Sequence, residues 1–183
     1  MQHRSTQCLA AVAAAGMLVA AASIHPLAAQ QAASGPNDPT IVAIFDAANT
    51  WDIQTGALAA KKGTTKAIRD FGAQLERDHT HVRQLARDLA KKLGVTPTPP
   101  KDFAMAKDHD AAMKTLRAAS GKRFDRDFLE HEVAYHKAVI DVLDNTFLPQ
   151  IRNSQLKALV KTVVPAFNAH LQMAQHLLDA ERK

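Results

Sequence analysis

The sequence predicts an all-α fold: four long helices in two hairpins, joined by a long connection that carries a short fifth helix. Three observations predict it. The 183 residues are 46% hydrophobic but only 5% aromatic, a balance that suits Ala- and Leu-rich helix packing and not a sandwich or barrel. Apolar positions recur at helical spacing over long stretches and do not alternate. Gly, Pro and capping residues punctuate the chain at only a few places. The length suits one domain with a tail and can bury a core without cross-links.

The elements follow in order. Met1 to Arg4 is a short basic start, Cys8 to Ile24 is an Ala-rich apolar run, and Pro26 to Ala29 offers small residues before Gln30. This pattern predicts a secretory signal peptide over residues 1–29, cleaved about after Ala29, and so a periplasmic or secreted protein. The single cysteine, Cys8, leaves with it, which excludes an intramolecular disulfide, a multi-thiolate metal site and a cysteine nucleophile in the mature chain. Residues 30–38 read as a flexible polar tail, and 39–183 as the helical domain. Asp38-Pro39 is expected to cap a first helix reaching Lys62 before Gly63. Thr64 or Thr65 caps a second, which stops at Gly94. Thr96 to Pro100 is a stiff extended connection. Asp102 is expected to cap the short helix to Ala119. A third long helix covers Arg123 to Phe147, closed by Pro149, and Ser154 caps a fourth that runs nearly to the end. Pro165 is expected to kink that last helix, since its ring removes a donor and crowds the Lys161 carbonyl. Two hairpins with a long crossover are the ferritin-like arrangement of a four-helix bundle.

The formal net charge is +5, but basic residues are interleaved with acids and no basic block carries aromatics. A solvated mixed-charge surface accounts for this, and no nucleic-acid partner is expected. After signal removal no segment is apolar enough to span a membrane, so any association would be with the envelope surface. The oligomeric state has no signature in the sequence.

At 100° per residue each long helix places one ionisable side chain on its apolar stripe. Asp52 lies among Ile41, Phe45, Ala48, Gly56 and Ala59. His79 lies among Ile68, Phe71, Leu75, Val82 and Ala86. His136 points with Leu129, Ile140, Leu143 and Phe147, and His170 with Leu156, Leu159, Val163, Ala174 and Leu177. Counted from the hairpin turns at ~1.5 Å per residue, all four fall at a similar depth. His81, His109, His131 and His176 point elsewhere and read as surface histidines.

Three imidazoles and a carboxylate meeting in a core suit one ion of zinc, copper, iron or manganese. Two other readings stand beside it: a metal-free hydrogen-bond network that fixes helix pairing, and a small-ligand site. Glu132, four residues before His136, and Glu76, three before His79, are reserve ligands. A di-iron centre needs a Glu from each of two helices and Glu-x-x-His from the other two. The last helix has Phe167 and Ala166 where a carboxylate would precede His170, so a mononuclear site is expected. Asp78 is placed to orient a histidine or to pair with an arginine, and Asp125 to cap the start of its own helix. Neither a nucleophile elbow nor a Gly-rich phosphate loop is present.

Leu75-Glu76-Arg77-Asp78-His79-Thr80, Gly121-Lys122-Arg123-Phe124-Asp125, His136, and Val164-Pro165-Ala166-Phe167-Asn168-Ala169-His170-Leu171 stand in this order. With the leader, this set resembles the exported bacterial family called domain of unknown function 4142, of the ferritin-like superfamily. The resemblance implies a ferritin-like bundle in the periplasm and places Asp78, His79, Asp125, His136, Pro165 and His170 on pattern positions. Asp52 stands where such proteins often carry the longer Glu. It implies no activity.

Overall fold

The computed structural model describes residues 35–182. The expected signal peptide, its cleavage point and the first part of the tail lie outside them. Among the described residues the chain is all-α, with five helices and no strand: α1 (Asp38–Lys62), α2 (Lys66–Leu93), α3 (Ala104–Ala118), α4 (Gly121–Val142) and α5 (Ser154–Glu181). Helix α4 runs on through a π turn, Leu143–Phe147, into one last turn, Leu148–Gln150.

Several caps differ from those the sequence suggests. Asn37, not Asp38, caps α1 by accepting the Thr40 N–H at 3.0 Å. The Asp38 carboxylate instead accepts the backbone N–H groups of Arg152 and Asn153, at 3.0 and 2.8 Å, just before α5. Asn153, not Ser154, caps α5. The side chain of Asp102 makes no cap for α3; at its other end Lys62 Nζ donates to the carbonyls of Leu116, Arg117 and Ala119. Gly94 ends α2 in the left-handed region, at φ 65°, a conformation glycine adopts without a Cβ penalty.

Pro149 does not close the third long helix. The backbone passes through it, and the widened turn sits just ahead of it, where Asn145 lacks the N–H that an α-helix would supply from residue 149. Pro165 likewise stands inside an unbroken α5.

Helix α1 packs on α2, α2 on α5, α5 on α4 and α4 on α1, a closed ring of four long helices, with α3 laid against α4 and α1. The α1–α2 crossing is set by two glycines. A Cβ on Gly56 would come within 2.6 Å of the Gly72 carbonyl oxygen, and one on Gly72 within 2.6 Å of the Gly56 oxygen. No side chain fits between the backbones there.

The apolar core comes in two parts. One holds Phe45, Val82, Val139, Val163 and Phe167; the other holds Ala59, Leu75, Leu129, Val133 and Ala174. Each long helix buries polar residues at or beside the junction of these two parts. Asn49, Asp52 and Thr55 on α1, His79 on α2, Glu132 and His136 on α4, and His170 on α5 are all at most 3% exposed. A buried polar layer therefore divides the core.

Candidate metal centre

The layer exists because each helix delivers one or more polar side chains to its buried stripe at the same depth. The imidazole rings of His79, His136 and His170 lie 5.1–5.7 Å apart, centre to centre. Phe167 closes one side, 5.0 Å from the His79 ring. One donor atom from each of the three histidines lies within 4.8 Å of the others. Zinc at 2.0–2.1 Å from its nitrogens holds them about 3.4 Å apart, a spacing inside that limit.

Each ring has one nitrogen anchored. His79 Nδ1 lies 2.9 Å from Asn49 Oδ1. The Asn49 amide nitrogen donates to the Phe45 carbonyl at 2.8 Å, so Oδ1 is the acceptor and His79 Nδ1–H the donor. His136 Nδ1–H donates to the Glu132 carbonyl at 3.1 Å. His170 Nε2–H donates to the Asp78 carboxylate at 2.9 Å. The remaining nitrogens are His79 Nε2, His136 Nε2 and His170 Nδ1. All three are buried and have no hydrogen-bond partner among the described residues. Anchoring one nitrogen to an oxygen fixes the ring and aims the other, the arrangement seen around metal-binding histidines.

The carboxylates form a second group. Asp52, Glu132 and His136 also offer donor atoms within 4.8 Å of one another. Asp52 Oδ2 is 3.5 Å from His79 Nδ1, on the anchored side of that ring, and Glu132 Oε2 is 3.3 Å from His136 Nδ1. Thus Asp52 is grouped with Glu132 and His136, and not with all three histidines.

Burial and neighbouring charge set the protonation of the layer. Burial lowers the His136 imidazole, but Asp52 and Glu132 outweigh it and hold the pKa at about 9. Burial drives His79 well below its usual value, and positive charge on His136 and His170 lowers it further. His170 is lowered by burial despite its bond to Asp78. Asp52 is raised well above the carboxylate range by burial and by Glu132, against the pull of His136. Glu132 is lowered: burial opposes ionisation, and His136 overcomes it. A proton and a metal ion are thus the two occupants that His136 Nε2 can take.

Residues 23–177 match the profile of a family described as Domain of unknown function (DUF4142). The chain belongs to this family. No curated protein matches it, and no solved structure does. In this DUF4142 member the pattern residues separate by place. His79, His136 and His170 meet in the layer, and half-buried Asp78 holds His170. Glu132 joins them at 0% exposure, while Glu76 is exposed and takes no part.

Asp125 is also buried, but it does not cap its own helix. It lies in the second turn of α4 and accepts the Thr64 backbone N–H at 3.0 Å, with the Thr64 hydroxyl as a second donor. It therefore secures the turn before α2. His109 is another correction: it is buried, not a surface histidine. Its ring stacks on Trp51 at 5.3 Å and its Nε2 bonds the Gln54 side chain at 2.8 Å, because α3 covers that part of α1. Asn49 and Thr55 are layer residues that helical projection misses, lying 60° to either side of Asp52 on an ideal helix.

Proposed function

We propose that the polar layer binds a transition-metal ion, one of zinc, copper, iron or manganese, through His79 Nε2, His136 Nε2 and His170 Nδ1. The protein is then an exported ferritin-like four-helix bundle that handles metal or protects against metal stress in the cell envelope. One observation carries the reading: three buried imidazoles each bring a donor nitrogen within 4.8 Å of the others, and each keeps one nitrogen without a partner among the described residues while its other nitrogen is tied to an oxygen. Leaving such groups unsatisfied is costly, and an ion satisfies all three at once. The closed ring of long helices supports the bundle, and the basic, apolar and small-residue pattern of residues 1–29 supports export. Among the described residues no helix is long and apolar enough to cross a membrane.

The test is metal content of untagged protein recovered from periplasm, with melting measured on addition of zinc, copper, iron or manganese. Bound metal near one ion per chain, and a rise in Tm lost in His170→Ala, are expected. Absence of both metal and any shift overturns the reading.

A metal-free network is the second reading, favoured by the raised pKa of His136 beside Glu132. In that case His170→Ala lowers stability with no change in metal content.

A further inference from the structure

If the layer binds metal as proposed, its two carboxylates carry separate information about which ion it takes. Asp52 and Glu132 are 3% and 0% exposed. Asp52 Oδ1 and both Glu132 carboxylate oxygens have no hydrogen-bond partner among the described residues. No lysine or arginine stands among the buried polar residues described, so no side chain of fixed positive charge offsets them.

Three neutral imidazoles supply electron pairs but no charge, so an ion held by them alone keeps its whole charge inside an apolar interior. Burying uncompensated charge in such an interior is strongly unfavourable. Ionised, the two carboxylates grouped around His136 offset a charge of two. A monovalent ion leaves one of them uncompensated. Two divalent ions leave a surplus of two.

We infer that Asp52 and Glu132 are the charge-selecting part of the site: from beside its histidines they match it to one divalent ion per chain. The two groups of donors share His136, whose Nδ1 lies beside the Glu132 carboxylate and whose Nε2 is left for the ion, so the carboxylates act through their charge and not as ligands.

Zinc(II) and silver(I) are suitable probes, since both accept imidazole nitrogen and they differ by one unit of charge. Native mass spectrometry counts ions per chain, and competition with a chelator gives affinity. The wild-type chain is expected to take one zinc and to prefer it over silver. Asp52→Asn with Glu132→Gln, of nearly unchanged volume, is expected to lose at least about 100-fold in zinc affinity and to keep silver within about tenfold, each tenfold being 1.4 kcal/mol. Far-UV circular dichroism checks that the double variant folds. Glu132→Asp, which keeps the charge, is expected to retain the preference for zinc if the double variant does not fold. Zinc affinity equal in wild type and folded double variant, loss of the preference in Glu132→Asp, or two zinc ions on the wild-type chain, overturns the charge assignment alone. A wild-type chain that takes neither zinc nor silver overturns the metal reading beneath it.

Discussion

Each imidazole of the layer is anchored by a different kind of oxygen: the side-chain amide of Asn49, the backbone carbonyl of Glu132 and the carboxylate of Asp78. The anchors differ in how replaceable they are. A backbone carbonyl survives any substitution, whereas Asn49 and Asp78 act through side chains. Asn49→Leu strands the His79 Nδ1–H in a dry interior and frees the ring to turn, so zinc affinity is expected to fall about 10–100-fold, the usual cost of losing such an anchor. Asn49→Asp keeps an acceptor and is expected to lose far less; calorimetric titration of the two variants checks the pair. The three histidines were legible in the sequence because helical projection alone puts them on apolar stripes. Their anchors were not. Asn49 lies 60° to one side of Asp52, and Glu76 lies 60° to one side of His79, on ideal helices. The first is buried and the second exposed. Periodicity gives both the same angle, and only the placement of neighbouring helices decides which of them meets a partner.

Among the elements, the pairing of α1 with α2 depends on two residues without side chains. Gly56→Ala places a methyl 2.6 Å from the Gly72 carbonyl oxygen and 2.9 Å from the Glu76 backbone nitrogen, atoms that cannot rotate away. Alanine gains up to about 1 kcal/mol in helix propensity, and overpacking costs about 1–3 kcal/mol. A net loss of stability in urea titration is expected, together with weaker zinc binding, since the same crossing spaces Asp52 from His79. Two acids, Asp38 in the first turn of α1 and Asp125 in the second turn of α4, reach to the turns before α5 and α2. Hydrogen bonds to a charged acceptor are worth about 1.5–3 kcal/mol. Asp125→Ala is expected to destabilise by about that much without changing the number of metal ions bound, a combination that melting and metal analysis separate. The sequence places these acids near helix starts, and local capping follows from that position. That they serve a different helix depends on contacts between segments far apart in the chain, which no local pattern encodes. The π turn at Leu143–Phe147 was hidden for a related reason: a proline forbids one hydrogen bond, but whether the helix stops or widens depends on what the turn packs against.

For the whole molecule, the polar layer makes stability depend on protons as well as on packing. His136 has a pKa of about 9 in the folded chain against an ordinary value of 6.5. The folded state therefore holds a proton that the unfolded state gives up between these values. Its contribution is full below pH 6.5 and disappears as pH rises through about 9, a loss of about 3 kcal/mol for a shift of this size. His79 and His170 are shifted the other way. Below pH 6.5 the unfolded chain binds protons that these folded rings refuse, so their shifts reduce stability as pH falls. Asp52, also raised, holds in the folded chain a proton that the unfolded chain gives up, so its contribution too is lost as pH rises, and metal-free protein is expected to melt lower at pH ~9 than at pH ~6.5. Zinc changes one side of that profile. An ion on His136 Nε2 replaces its proton, so the alkaline loss between pH 7 and 9 is expected to vanish, and affinity to rise with pH as fewer protons compete. Melting followed from pH 5 to 10, with chelator and then with zinc, measures both effects. A metal-free Tm that stays flat from pH 7 to 10 contradicts the coupling of His136 to Asp52 and Glu132. An alkaline limb that persists unchanged under saturating zinc means the ion sits away from His136.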